Sequence, residues 1–257
     1  MDFTCAAYDR LLASALDAGY RVLRVRDALT GPPASPALII RHDVEWNIRR
    51  TLAVINIEQQ RGIRSSLYFR VDTRVYDPAQ MCRLQEAGFE IGYHFNTLDR
   101  CRGDFARAAR MFENELLRLR EAGLDVVTAI PHGDPRIRRI GYRSNADILS
   151  RDPGFLARLK LLDVGGGLAA HFPEFVYIAD LGISWNGVRS AVELLAGMQL
   201  GRWPAIYLLT HPDYWSASWF RAVGVQIAAC AMRGLNINRI IAGFRRSGAE
   251  FRTGGAE

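Results

Sequence analysis

The residues best suited to chemistry in this sequence stand at the ends of apolar runs. In PALIIRHDVEW (36–46), a run built for burial leads to His42, Asp43 and Glu45. A buried carboxylate without a partner is costly, so an ionisable cluster there needs a function or a wet rim. Asp43 and Glu45 are two positions apart, which on an extended chain points them to one side and His42 to the other. Two carboxylates aimed into one pocket repel unless a cation or a shared proton intervenes.

The same pattern recurs downstream. FEIGY leads to His94, VVTAIP to His132, FVYIA to Asp180 and AIYLLT to His211, so four of the five histidines close apolar runs. His94 and His132 complete a metal site with one carboxylate of the first cluster, and the spare carboxylate is placed to take a proton from water. Carboxylate and imidazole donors suit a divalent ion, zinc first, with Fe, Co, Ni or Mn as alternatives.

For such distant residues to meet, the elements carrying them must converge. Strand-like and helix-like segments alternate. The apolar run ALII, read as a strand, precedes a helix over 47–62, with Leu52, Val54 and Ile55 on one face. SSLYFRV reads as a strand, and Asp77, Pro78 and Gly88 frame a helix as N-cap, first helical residue and stop. FEIGYHF is a strand. The segment 103–123 is an amphipathic helix with Phe105, Ala109, Phe112, Leu116 and Leu119 at helical spacing. LDVVTAIPH, LKLLDVGG, FVYIAD and PAIYLLTH follow as strands, with an irregular basic loop over 133–151. Helices are expected over 187–201, 216–234 and 236–247. This alternation predicts an α/β fold with a largely parallel sheet. No glycine-rich phosphate loop follows the first strand, which favours a barrel, whose carboxyl strand ends share one mouth.

Composition narrows the function classes. The 257 residues are 49% hydrophobic and 23% charged, ordinary globular values. The net charge is +6, but the cations are spread over the chain and all except Lys160 are arginine. No helix-turn-helix, RNA-recognition or OB signature accompanies them, so nucleic acid is not the expected partner. Peripheral contact with an anionic membrane surface fits the charge better. Cys5, Cys82, Cys101 and Cys230 show no C-x-x-C spacing, against a disulfide framework or a cysteine zinc site. The opening residues do not read as a signal peptide, and no apolar run is long enough to span a bilayer, so a cytoplasmic location is expected.

Taken in order, RHDVEW, IRSSLYFRV, GFEIGYHFNTLD, IPHGDP, YIADLGISWNG and LLTHPDYW resemble the polysaccharide deacetylase (NodB-homology, carbohydrate esterase 4-like) superfamily. The nearest likeness is to its divergent members in surface-polysaccharide (lipopolysaccharide O-antigen) biosynthesis, over roughly 36–216. The resemblance implies a distorted (β/α)7 barrel, one catalytic domain over 1–257 with N- and C-terminal helices packed on it, and metal-dependent N-deacetylation of an acetamido sugar. It makes Asp43 the general base, Glu45 and His94 metal ligands, and His211 the general acid. The chain departs from the family in three places. Glu45 replaces an aspartate, Leu98 stands where a second ligand histidine is usual, and IPHGDPR replaces an Arg-x-Pro-Tyr motif. His132, or more weakly Asn96, is the candidate to supply the missing ligand.

The remaining roles follow from that scheme. Asp180 orients His211 or contacts sugar hydroxyls. Tyr142, Trp185 and Trp215 stack on a pyranose, Asn96 contacts substrate, and Arg143, in the arginine run 136–143, meets a phosphate or uronic acid. His42 is a supporting histidine bonded to backbone, and His171 is structural. The expected substrate is a nucleotide-linked or lipid-linked N-acetylated sugar, met in the cytoplasm or at the inner membrane face. Two other readings stay open: a deacetylase-like protein that binds or otherwise modifies glycans without hydrolysis, and a metal-dependent amidase on a non-sugar substrate.

Overall fold

In this computed structural model, residues 3–217 are described except 135, 182 and 183. The helices expected beyond 217 lie outside the described residues. The chain begins with α1 (Cys5–Asp17), β1 (Arg21–Leu23), α2 (Val25–Thr30), β2 (Ala37–Val44) and α3 (Ile48–Gln60). It continues with β3 (Ser66–Phe69), α4 (Pro78–Glu86), β4 (Glu90–Phe95), α5 (Thr97–Arg100) and α6 (Phe105–Glu121). β5 (Ala129–Pro131), α7 (Asp147–Arg151), α8 (Phe155–Arg158), α9 (Val164–His171) and β6 (Phe175–Ala179) follow. α10 (Ala191–Gln199), β7 (Ala205–Thr210) and a 3-10 turn (Pro212–Tyr214) complete it.

The seven strands form one sheet of order β5-β4-β3-β2-β7-β6, with β1 pairing beside the start of β2. Every strand pair is parallel. Inner-face residues from well-separated strands, Ile39, Tyr68, Ile130 and Tyr207, share one core with α2 and α9. Only a curled sheet brings them together, so the fold is a distorted (β/α)7 barrel. Its distortion is the seam between β5 and β6, which do not pair among the described residues. The inner face is tight. A Cβ on Gly92 would come within 2.3 Å of the Tyr68 ring, so β4 carries glycine where that ring crosses it.

Outside the sheet, Leu67, Phe69, Tyr93 and Phe95 pack with Phe112 and Leu116 of α6. Leu38, Ile40, Ile206 and Leu208 pack with Tyr8, Leu11 and Leu12 of α1. Sequence and structure agree on most elements, down to the Asp77 carboxylate accepting from Gln80 N–H and Gly88 at φ +93° after α4. The strand expected over 124–132 is shorter, Ala129–Pro131. LKLLDVGG forms only one bridge, Leu162 to Thr128, and then enters α9 with its three glycines. Asp163 caps that helix by accepting from Gly166 N–H, and packing of Leu168 overrides the low propensity of glycine. No helix among the described residues is long and apolar enough to cross a membrane.

Candidate metal centre at the barrel mouth

Strand alternation decides what enters the mouth. Along β2, Leu38 and Ile40 face outward and Ala37 and Ile39 inward. The same period sends Arg41, Asp43 and then Glu45 inward and His42 outward. His94 lies opposite Ile130 on β5, and His132 extends that ladder, its N–H donating to Phe95 O at 2.7 Å. His211 follows β7, and its N–H donates to the Asp180 carboxylate at 2.8 and 3.0 Å.

The side chains converge. His132 Nε2 is 3.0 Å and His94 Nε2 3.3 Å from Glu45 Oε1. One donor atom from each of Glu45, His94 and His132 lies within 4.8 Å of the others. Donors bound at about 2.0–2.1 Å around a tetrahedral ion stand about 3.3 Å apart, a separation the two Glu45 contacts match, so these three residues could hold a zinc-sized cation. His94 Nδ1 approaches Ile130 O at 3.4 Å, while His132 Nδ1 is buried without a hydrogen-bond partner. Burial lowers the His94 pKa, favouring the neutral imidazole that a ligand must be. Burial pushes Glu45 the other way, but hydrogen bonds from His132 and His94 hold it well below the usual carboxylate range.

Asp43 and His211 flank this centre. Asp43 Oδ2 is 3.4 Å from His94 Nε2 and 3.9 Å from His211 Nε2. Burial would raise the Asp43 pKa, but the Arg41 guanidinium, followed by His94, holds it below the ordinary value. Arg41 grips both carboxylate oxygens, Nε to Oδ1 and Nη2 to Oδ2, each at 2.7 Å. Its guanidinium rests over the Tyr68 ring. His211 Nδ1 donates to Asp180 Oδ1 at 2.6 Å, leaving Nε2 toward Asp43. Burial alone would lower the His211 pKa; the Asp180 charge and hydrogen bond outweigh it and raise the value to about 9. At neutral pH His211 is therefore an imidazolium facing a carboxylate.

Other expected residues sit elsewhere. Trp215 is 1% exposed, so it is no sugar platform. Its indole N–H donates to Asp180 Oδ2 at 2.7 Å, and its ring packs edge-on to Phe3 and Tyr8. Trp185 stacks on Phe3 at 5.3 Å in the same outer cluster, so its ring serves packing. Tyr142 is buried, and its hydroxyl joins Arg139 and Asn145 on Asp99, tying the 133–146 loop to α5. Arg143 is exposed, and its backbone N–H donates to Asp147 Oδ2 at 2.7 Å. Asn96 is turned to Asp72, donating at 2.9 Å. Asp180 is fully buried, with its carboxylate held by His211 and Trp215.

Leu98 is fully buried in the outer core beneath α5, pointing away from the mouth, and His132 stands at the third donor place. His42 is fully buried, but its partners are side chains rather than backbone. Its Nε2 is 2.8 Å from Glu58 Oε1 and its Nδ1 2.5 Å from Thr210 Oγ1, while Tyr8 and Ser65 also donate to Glu58. His171 Nδ1 meets Gly167 O at 2.9 Å inside α9, a local bond. Sequence reasoning missed Arg41, whose signal was available: two positions before Asp43, it shares the inward face. Glu58 and Tyr8 carried no such signal, because they reach His42 from other elements.

Fold and site define a parallel (β/α) barrel with a carboxylate–imidazole centre at the carboxyl ends of its strands. No family model and no curated protein matches the sequence. Among solved structures it is similar to a Streptococcus mutans CE4 esterase, at 13% identity and a TM-score of 0.46, over 85% of this chain and 91% of that one. It is also similar to a mutant CE4-family pseudoenzyme with restored enzymatic activity, at 12% identity and a TM-score of 0.38, over 79% of this chain and 65% of the other. Both scores are below 0.5; the fold is defined by the chain's own parallel sheet order.

Proposed function

We propose that this protein removes the acetyl group from an acetamido sugar with a divalent ion held by Glu45, His94 and His132. The observation carrying this reading is the flanking of that donor set by a carboxylate and an imidazolium, Asp43 and His211. The ordered motifs of the sequence point to the same chemistry. Zinc suits the donors first, with Fe, Co, Ni or Mn as alternatives. When bound, such an ion polarises an amide carbonyl and eases deprotonation of water.

The chain's own residues do the rest. Asp43 takes a proton from the attacking water, because bidentate Arg41 occupies one lone pair on each oxygen and leaves the others. His211 passes its Nε2 proton to the departing amine as the C–N bond breaks, giving acetate and the free amino sugar. Asp180 keeps the proton available by holding Nδ1.

In this proposal the substrate is a nucleotide-linked or lipid-linked sugar of surface polysaccharide, of the lipopolysaccharide O-antigen kind. The reaction is placed in the cytoplasm or at the inner membrane face, on one catalytic domain. Acetate release from N-acetylated saccharides, assayed with each candidate metal, is the test. Release by the wild type that disappears in Asp43→Asn and in His211→Ala supports the roles; release unchanged in both refutes them.

A further inference from the structure

Trp46 directly follows Glu45, and it is 47% exposed although it is among the largest apolar side chains in the protein. It is nevertheless held in place. Its N–H donates to Asp213 Oδ2 at 3.0 Å, and its carbonyl accepts from Arg74 Nε at 2.8 Å. The Arg70 guanidinium covers one ring face, 5.6 Å from the centroid. Arg70 is itself buried and gripped by Asp72 at 2.7 and 2.8 Å, and Asp72 is held by Asn96, two residues past His94.

Register fixes where this ring lies. Val44 pairs with Phe69, and Arg70 N–H donates to Val44 O, so Arg70 stands beside Glu45 one strand over, about 4.8 Å away. Trp46 therefore packs on Arg70, next in sequence to Glu45. Burying such a ring is favourable, and the fold forgoes part of that burial here while still ordering the backbone on both sides. A rigid, half-open aromatic face beside a hydrolytic centre matches the flat C–H face of a pyranose, whose polarised hydrogens meet the negative ring face.

We infer that Trp46 is the platform for a second sugar ring, next to the one whose acetamide enters the mouth, so that the substrate engaged is an oligosaccharide. This rests on the deacetylase reading for its choice of saccharide. The neighbouring Arg70, Asp72 and Asn96 serve the platform by fixing its covered face.

The test is calorimetric titration of tri-N-acetylchitotriose into protein carrying Asp43→Asn to suppress turnover, with Trp46 intact, Trp46→Ala or Trp46→Phe. Binding weakened at least tenfold by Trp46→Ala and less than threefold by Trp46→Phe supports the platform. Equal binding by Trp46 and Trp46→Ala proteins, or no binding of the trimer, overturns it. Trp46-dependent binding of uridine monophosphate in place of the trimer would assign the ring to a nucleobase and also overturns it. Acetate release by the Asp43 protein is read separately. A trimer bound through Trp46 but never deacetylated keeps the platform and removes the deacetylase reading.

Discussion

Arg41 and Asp43, two residues apart on β2, meet inside the barrel as a bidentate pair, with both oxygens of the carboxylate held at 2.7 Å. A buried carboxylate so gripped is ionised and aimed, and the grip comes from its own strand. Arg41→Met leaves Asp43 buried without its cation and is expected to cost about 3–5 kcal/mol in urea unfolding. Arg41→Met with Asp43→Leu should recover most of that stability while acetate release stays absent. Arg41→Lys keeps the charge but not the fork, and should lower kcat at least tenfold with a smaller loss of stability.

His211 titrates at about 9 because Asp180 outweighs the effect of burial. Its imidazolium is the active form, so acetate release should hold up to about pH 9 and fall above it. Asp180→Asn removes the opposing charge, and the alkaline limb should move down toward the ordinary histidine value near 6.5. The sign for stability is the same. The folded pKa is raised, so the pair's contribution is complete below about pH 6.5 and is lost as pH rises through about 9. Urea midpoints across that range, wild type against Asp180→Asn, measure it.

Trp215 donates its indole N–H to Asp180 from behind. Trp215→Phe keeps most of the packing and deletes one hydrogen bond to a charged group, a loss of about 1.5–3 kcal/mol. The Km for saccharide should not change, because the ring does not touch the mouth; a raised Km would return Trp215 to the substrate.

Leu98 stands where the sequence resemblance leads to the expectation of a second ligand histidine, yet it is buried in the outer core. His132→Ala should therefore lose metal, and adding Leu98→His should not restore it. The imidazole would be buried in an apolar cluster at a cost of about 1–3 kcal/mol. Metal analysis of the double variant, with its unfolding midpoint, checks both statements.

Much of the site was legible because it depends on local rules. Period-two alternation separated Asp43 and Glu45 from His42, and the parallel strand pattern placed His94, His132 and His211 at one end of the sheet. The exposure of individual tryptophans was not legible in the same way. Whether a loop tryptophan faces solvent depends on partners far along the chain: Phe3 and Tyr8 of the N-terminal segment cover Trp215, while Trp46 stays 47% exposed. Glu58 reaches His42 across a helix–strand interface, a contact that no spacing announces. The glycines of α9 fell at the end of a segment read as a strand, because their helicity is imposed by a cap and by packing rather than by propensity.

The central claim is that Glu45, His94 and His132 hold one cation between them. Metal analysis by mass spectrometry of the purified protein, after equilibration with zinc and gel filtration, tests it most directly. The account predicts about one ion per chain in the wild type and near none in Glu45→Ala, His94→Ala or His132→Ala proteins that remain folded. Wild-type protein that retains no divalent ion, or variants that retain it undiminished, would contradict it.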